Sequence, residues 1–133
     1  MYGTIRTVHQ WLGYAVFLVV LVVAVLAWIG SRRSTKPALP RARTTMVLLD
    51  VHVTIGIVLY AVGAWWAEGD APLVAYVHPT LAIAALGVGH AALARARRAD
   101  NAAAADRGLA VGFTIVLVLI TAAIGVASMG TMA

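Results

Sequence analysis

The chain has 133 residues, of which 62% are hydrophobic and only 11% are charged, and its mean hydropathy is +0.93. This length suits one domain, but the composition excludes an ordinary soluble protein. Cysteine is absent, which excludes disulfides, thiolate metal sites and iron–sulfur clusters. The net charge of +5 comes without the stacking aromatic residues of a nucleic-acid surface, so no nucleic-acid partner is expected.

Four charge-free stretches approach or exceed the roughly 20 residues that cross a ~30 Å hydrocarbon core. We therefore predict an all-α integral membrane protein in which residues 1–133 form a single four-helix transmembrane bundle. The helices are predicted at residues 5–30, 44–67, 73–96 and 107–129. Pro40 is expected to keep the second helix from starting earlier, and the alanine-rich stretch 99–106 is expected to be a loop.

The basic residues define a topology, because nine of the ten lie in the two connections at residues 31–43 and 95–107. By the positive-inside rule both connections are cytoplasmic, and both termini then lie outside the cytoplasm. This distribution predicts a multi-pass protein of the cell membrane whose surroundings are the lipid bilayer.

The four histidines all fall within predicted spans. His9 and His78 are each a few residues from the outer end of their helices, and His52 and His90 are each about two turns from the inner end. The sequence thus predicts two pairs, one near each membrane face. Neutral imidazoles on opposing helices are the axial ligands that six-coordinate b-type haem iron needs, so two haem b groups are expected.

Small residues follow two of these histidines at a fixed spacing, as His9-x-x-x-Gly13 and His52-x-x-x-Gly56. A glycine four residues after a histidine lies about 40° away on the same helix face. We therefore expect Gly13 and Gly56 to make room for the haem ring, although glycine also serves helix packing alone.

Other interpretations of the polar residues stay open. An intramembrane histidine can simply donate a hydrogen bond between helices, and four histidines can also form a zinc or copper site, although such a site would favour carboxylates or methionines beside them. Asp50 is the sole acidic residue inside a predicted span. It is either a proton relay or quinone contact, or a carboxylate at a helix N-terminus paired with Arg41 or Arg43.

The pattern of His9, Gly13, His52 and Gly56, followed by His78 and His90 on one later helix, resembles membrane di-haem b-type cytochromes. That resemblance implies haems held by two histidines each, one near each membrane face of a four-helix core. It also implies transmembrane electron transfer, as a carrier or redox subunit rather than as a stand-alone enzyme. The usual plan of these cytochromes places two ligands on each of two helices or one on each of four, which differs from the distribution here.

Electrons that cross the membrane need a source and a sink, and the chain has no nucleotide fingerprint or flavin motif. A quinone or a redox protein partner is therefore implied. Two alternatives remain: a cofactor-free accessory subunit of a larger membrane complex or homo-oligomer, and a protein similar to one half of a haem A synthase.

Overall fold

The computed structural model of the chain describes residues 1–33, 38–64 and 73–129. Within these ranges lie four α-helices, numbered in chain order: α1 (Tyr2–Arg33), α2 (Leu39–Val62), α3 (His78–Arg97) and α4 (Ala102–Met129). A π-helical turn, Leu73–Val77, leads directly into α3. With this turn counted as part of α3, each helix is long and apolar enough to cross a membrane. The prediction of an all-α, four-helix membrane protein is confirmed.

The helix α4 organises the packing of the bundle. Both α1 and α3 pack closely along α4, whereas α2 lies across from it and contacts mainly α1 and α3. The largest fully buried apolar side chains come from α1, α2 and α4: Val16, Val20, Met46, Leu49, Leu109, Phe113 and Val116. Because lipid is as apolar as these side chains, close packing and polar contacts hold such helices together. Because α2 makes the fewest close contacts with the other helices, it is the least firmly held of the four.

Small residues bring α3 and α4 into close contact. A Cβ atom added to Gly112 of α4 would overlap the side chain of Ala92 on α3. Gly89 of α3 faces Met46 of α2 in the same way, and an added Cβ atom there would overlap the thioether. The backbones thus approach as closely as they do because these two positions have no side chain.

The second helix starts and ends five residues earlier than the sequence predicted, at Leu39 and Val62. Pro40 lies inside its first turn, where the missing N–H has no intrahelical acceptor and costs little. The expectation that Pro40 would delay this helix is therefore wrong. After Val62, Ala64 adopts a left-handed φ of 49° that ends the helix. The predicted remainder of this helix and the outer loop lie outside the described residues.

The fourth helix also starts five residues earlier than predicted, at Ala102. The side-chain oxygen of Asn101 accepts a hydrogen bond of 2.9 Å from the backbone N–H of Ala104, which is the geometry of an N-cap. Alanine has the highest helix propensity, so the capped stretch 102–106 continues as helix. The prediction of a loop over 99–106 was wrong for this part.

Asp106 is brought by this extension to a buried junction between three helix ends. Its side chain is completely buried, and its Oδ1 accepts a 2.8 Å hydrogen bond from the N–H of Ala38, next to the start of α2. The start of α2 has no side-chain cap of its own. On the other side, the carboxylate lies against Gly30 of α1, where a Cβ atom would overlap it. We call this end of the bundle, with its arginines, the basic end.

Asp106→Ala should lower the free energy of unfolding by about 1–3 kcal/mol, because a buried backbone N–H loses its acceptor. Unfolding in mixed detergent micelles, followed by circular dichroism, measures this change. Asp106→Asn keeps an acceptor oxygen and should retain most of the stability. Asp100, an exposed residue just before α4, provides the control: Asp100→Ala should change stability by less than about 0.5 kcal/mol. Equal effects of the two alanine substitutions would contradict the role of Asp106.

Gly112→Ala should destabilise the protein by about 1–3 kcal/mol, because the new methyl group has no room beside Ala92. Gly108 lies one turn earlier on α4 and has no atom within 4 Å of its Cβ position. Gly108→Ala should therefore stabilise the protein by up to about 1 kcal/mol through helix propensity. The same unfolding assay compares the two variants. A change in the free energy of unfolding that has the same sign in both would contradict the close α3–α4 contact.

Candidate functional site

His9 on α1 and His52 on α2 form the centre of the candidate site. Their imidazole rings stack with centroids 4.1 Å apart and planes within 6° of parallel. Each ring lies against the glycine of the other helix. The Cε1 atom of His9 would be 2.9 Å from a Cβ atom added to Gly56, and the Cε1 atom of His52 would be 3.1 Å from a Cβ atom added to Gly13. The two His-x-x-x-Gly segments therefore pack reciprocally.

The reciprocal packing gives the two glycines a role that differs from the expected one. The sequence predicted that Gly13 and Gly56 would leave space for a haem ring beside the histidine of their own helix. In the structure, each glycine accommodates the imidazole from the opposite helix. A side chain at either position would push the neighbouring imidazole away and separate α1 from α2.

His78 on α3 joins this pair as a third imidazole. Its ring meets that of His9 edge to face, with a centroid distance of 6.3 Å and an interplanar angle of 78°. The Nδ1 atom of His78 lies 2.9 Å from the carbonyl oxygen of Ala123 on α4. A carbonyl only accepts, so this nitrogen carries a proton and donates it, and Nε2 is the ring nitrogen that is left for a ligand. Three helices thus supply one histidine each to a single cluster, which we call the histidine cluster.

The local backbone around His78 is irregular. The π-helical turn Leu73–Val77 ends immediately before it, and Pro79 follows, which has no N–H to give to the carbonyl of Ala75. Single π-helical turns inside helices are frequently found at functional sites. The sequence does not indicate the role of the carbonyl of Ala123, because a backbone acceptor leaves no side-chain signal in the sequence.

The predicted division of the histidines into two pairs is wrong, because His52 lies with His9 and not with His90. Helix geometry explains the difference. Asp50 of α2 contacts His90, whereas His52, two residues later, lies about 200° away around the helix axis and stacks on His9 of α1. His9 and His78, which the sequence placed together, do lie together. The second predicted pair is not formed.

His90 instead contacts Asp50 of α2. The Nε2 atom of His90 lies 2.9 Å from Oδ1 of Asp50, and the two side chains are 51% and 42% exposed. Asp50 is the twelfth residue of the 24-residue helix α2, so it is far from the helix N-terminus. Its side chain contacts His90 rather than Arg41 or Arg43. We call this contact the Asp50–His90 pair.

Unpartnered nitrogen atoms distinguish the histidine cluster from an ordinary packing contact. Within the described part of the chain, the buried Nδ1 atoms of His9 and His52 have no hydrogen-bond partner. A buried polar atom without a partner costs about 1–3 kcal/mol, and such an atom in a native protein calls for a ligand, an ion or a water. The cluster therefore has two buried nitrogen atoms that are available to a ligand within an apolar bundle.

A small cavity lies beside the cluster. It has a volume of about 30 Å³, and its lining includes His52, His78 and the small residues Gly13, Ala82 and Ala123. A cavity of this size holds a water molecule. Among the described residues, no group of three or more His, Asp or Glu side chains has the arrangement of a metal-ion site. The stacking of His9 on His52 is consistent with this, because parallel rings direct their nitrogen atoms side by side.

The functional assignment depends on the geometry of the histidine cluster, because comparisons with known proteins found no match. No protein-family model matches the chain, and neither do any curated protein or solved structure.

Gly56→Ala should displace the His9 ring and lower the free energy of unfolding by about 1–3 kcal/mol, since the new methyl group would meet the ring at 2.9 Å. Imidazole ¹⁵N chemical shifts of labelled protein should change for His9 and His52 together. Gly3, on the same helix as His9, has open space around its Cβ position. Gly3→Ala should leave both the stability and these shifts unaltered, and identical spectra for the two variants would refute the reciprocal packing.

Proposed function

We propose that this chain is a membrane electron-transfer protein whose histidine cluster binds haem b, with His9 and His78 as the axial ligands. The observation that supports the proposal is the convergence of three imidazoles from three helices, two of them with buried nitrogen atoms that have no partner among the described residues. Ionisable and polar side chains inside membrane spans are costly and usually functional. One-electron exchange at its iron is the chemistry that a bound haem supplies.

The donor set fits haem iron. Neutral imidazole nitrogen is the ligand of b-type haems. The hydrogen bond from Nδ1 of His78 to the carbonyl of Ala123 holds that ring and leaves its Nε2 atom for iron, which is the outer-shell arrangement usual for metal-ligating histidines. His9 lies between Gly56 and the ring of His52, which are both on α2.

The space for the ring is the more demanding requirement. A cavity of about 30 Å³ lies beside the histidines, whereas small-molecule sites have volumes of roughly 300–1,000 Å³. Binding therefore requires one helix to move outward. The helix α2 is the one that packs least closely on the rest of the bundle, and its displacement would unstack His52 from His9 while His78 stays anchored on α4.

The second haem has less support than the first. Its predicted ligands were His52 and His90, but His52 contributes to the histidine cluster and His90 contacts Asp50. We therefore propose one haem at the cluster and keep a second haem as a prediction that the measured stoichiometry decides. A quinone or a redox protein in the same membrane would exchange electrons with the cluster.

The proposed orientation follows from the arginines. The ends of α1 and α3 and the starts of α2 and α4 lie together at the basic end, and the positive-inside rule places this end in the cytoplasm. The histidine cluster then lies in the outer half of the cell membrane, with both termini outside the cytoplasm.

Haem content per chain tests the proposal directly. The full chain, purified in detergent after expression with adequate haem supply, should show a low-spin b-type difference spectrum and one haem in a pyridine haemochrome assay. His9→Ala and His78→Ala should each abolish the low-spin signal, because each removes one axial nitrogen. His90→Ala is the matched control on the same helix as His78 and should retain the spectrum.

Other outcomes identify the alternatives. Two haems per chain, with one lost in His90→Ala, would restore the two-level arrangement. A correctly folded protein without haem would favour the cofactor-free accessory subunit. Zinc or copper retained by the protein and lost in His9→Ala would favour a metal-ion site.

A further inference from the structure

The Asp50–His90 pair fixes how α2 and α3 lie side by side. The Nε2 atom of His90 is 2.9 Å from Oδ1 of Asp50, so the two residues lie on the facing edges of these helices and at one level. The helices run in opposite directions, since α2 begins and α3 ends at the basic end. Positions that lie equally far from the pair towards the basic end are therefore opposite each other.

Arg43 and Arg97 occupy two such positions, and both are exposed. Arg43 lies seven residues before Asp50 on α2, and Arg97 lies seven residues after His90 on α3. Seven residues are almost two helical turns, so each arginine lies about 10 Å closer to the basic end than its member of the pair and only about 20° away around the helix axis. Two arginines thus face each other across the groove between α2 and α3.

Among the described residues, no carboxylate forms an ion pair with these two arginines. The carboxylate of Asp50 contacts His90, and Asp106 is completely buried at the junction of the helix ends. Asp100 is exposed, but no arginine in the described part of the chain lies within ion-pair distance of it. Facing cations repel each other unless an anion lies between them, and guanidinium groups bind phosphate through paired hydrogen bonds. The groove therefore has the charge of a phosphate site.

The exposed surface next to these arginines, on the side away from the basic end, is apolar. Val47 lies one turn from Arg43 and is 59% exposed, and Ala94 lies three residues before Arg97 and is exposed as well. Both helices are apolar enough to cross a membrane, so the two arginines lie where the hydrocarbon core begins. A ligand with an anionic head and a hydrocarbon tail matches both surfaces, whereas a free phosphate ion would use only the arginines.

We propose that the groove between α2 and α3 binds one anionic phospholipid, with its phosphate between Arg43 and Arg97 and its acyl chains along Val47 and Ala94. Basic pockets between transmembrane helices bind the headgroups of anionic lipids. The lipid joins α2, the least firmly held helix, to α3 at the basic end. This role goes beyond electron transfer and does not depend on haem.

Native mass spectrometry of the full chain in detergent, with added phosphatidylglycerol or phosphatidylcholine of the same acyl chains, tests the proposal. The unaltered chain should retain one phosphatidylglycerol at least about tenfold more tightly than phosphatidylcholine, whose choline group cancels the phosphate charge. Excess inorganic phosphate should not displace the lipid, because it has no acyl chains. Equal retention of the two lipids, or displacement by inorganic phosphate, would overturn the proposal.

Two double variants locate the site. Arg43→Gln with Arg97→Gln should weaken phosphatidylglycerol binding at least about tenfold, because both phosphate contacts are lost. The matched control is Arg41→Gln with Arg95→Gln. It removes the same charge from the same two helices, two residues away and therefore about 200° around each axis, and should retain the lipid. Equal weakening in both would show a response to overall charge and would overturn the site.

Two further readouts accompany this comparison. Circular dichroism checks that the double variants fold, and the comparison of the two lipids on the unaltered chain holds even where a variant does not. Haem content should be the same in both double variants and in the unaltered chain. Failure of the lipid site is therefore distinguishable from failure of the haem proposal.

Discussion

The reciprocal seating of two imidazoles on two glycines determines how the first two helices of this bundle meet. His9 needs the space above Gly56, and His52 needs the space above Gly13. Neither contact can form without the other, because the stacked rings fill the gap that both glycines leave. In lipid, where burial of apolar surface gives no drive to associate, such close and specific contacts decide which faces of the helices pack together. The register between α1 and α2 is set at this point.

The third histidine connects this register to the rest of the bundle. His78 is anchored on α4 through the carbonyl of Ala123, and α4 is the helix on which α1 and α3 both pack. The cluster is therefore supported on one side by the firmly packed part of the bundle and on the other side by α2, which is loosely packed. Outward movement of α2 would open the cluster, while His78 would keep its hydrogen bond to α4.

Hydropathy and length predicted the number and type of the helices, because a ~30 Å hydrocarbon core requires about 20 apolar residues whatever their order. The same reasoning placed all four histidines inside helices, where the structure has them. It failed on the pairing, because depth along a helix does not determine which neighbouring helix a side chain faces. Asp50 contacts His90, whereas His52, two residues later and about 200° farther around α2, stacks on His9. Asp106 was missed for a related reason: its role depends on Ala38, which is 68 residues away.

The buried carboxylate of Asp106 has a consequence for the order in which the protein is made. The helices α1 and α2 are synthesised first, but the acceptor for the N–H of Ala38 arrives only with α4. During biogenesis the first two helices therefore enter the membrane before the N–H of Ala38 has this acceptor. Arrival of the last helix places Asp106 between Gly30 and Ala38. A chain truncated before Asp106 would keep α1, α2 and α3 but would lack the carboxyl group that joins the end of α1 to the start of α2.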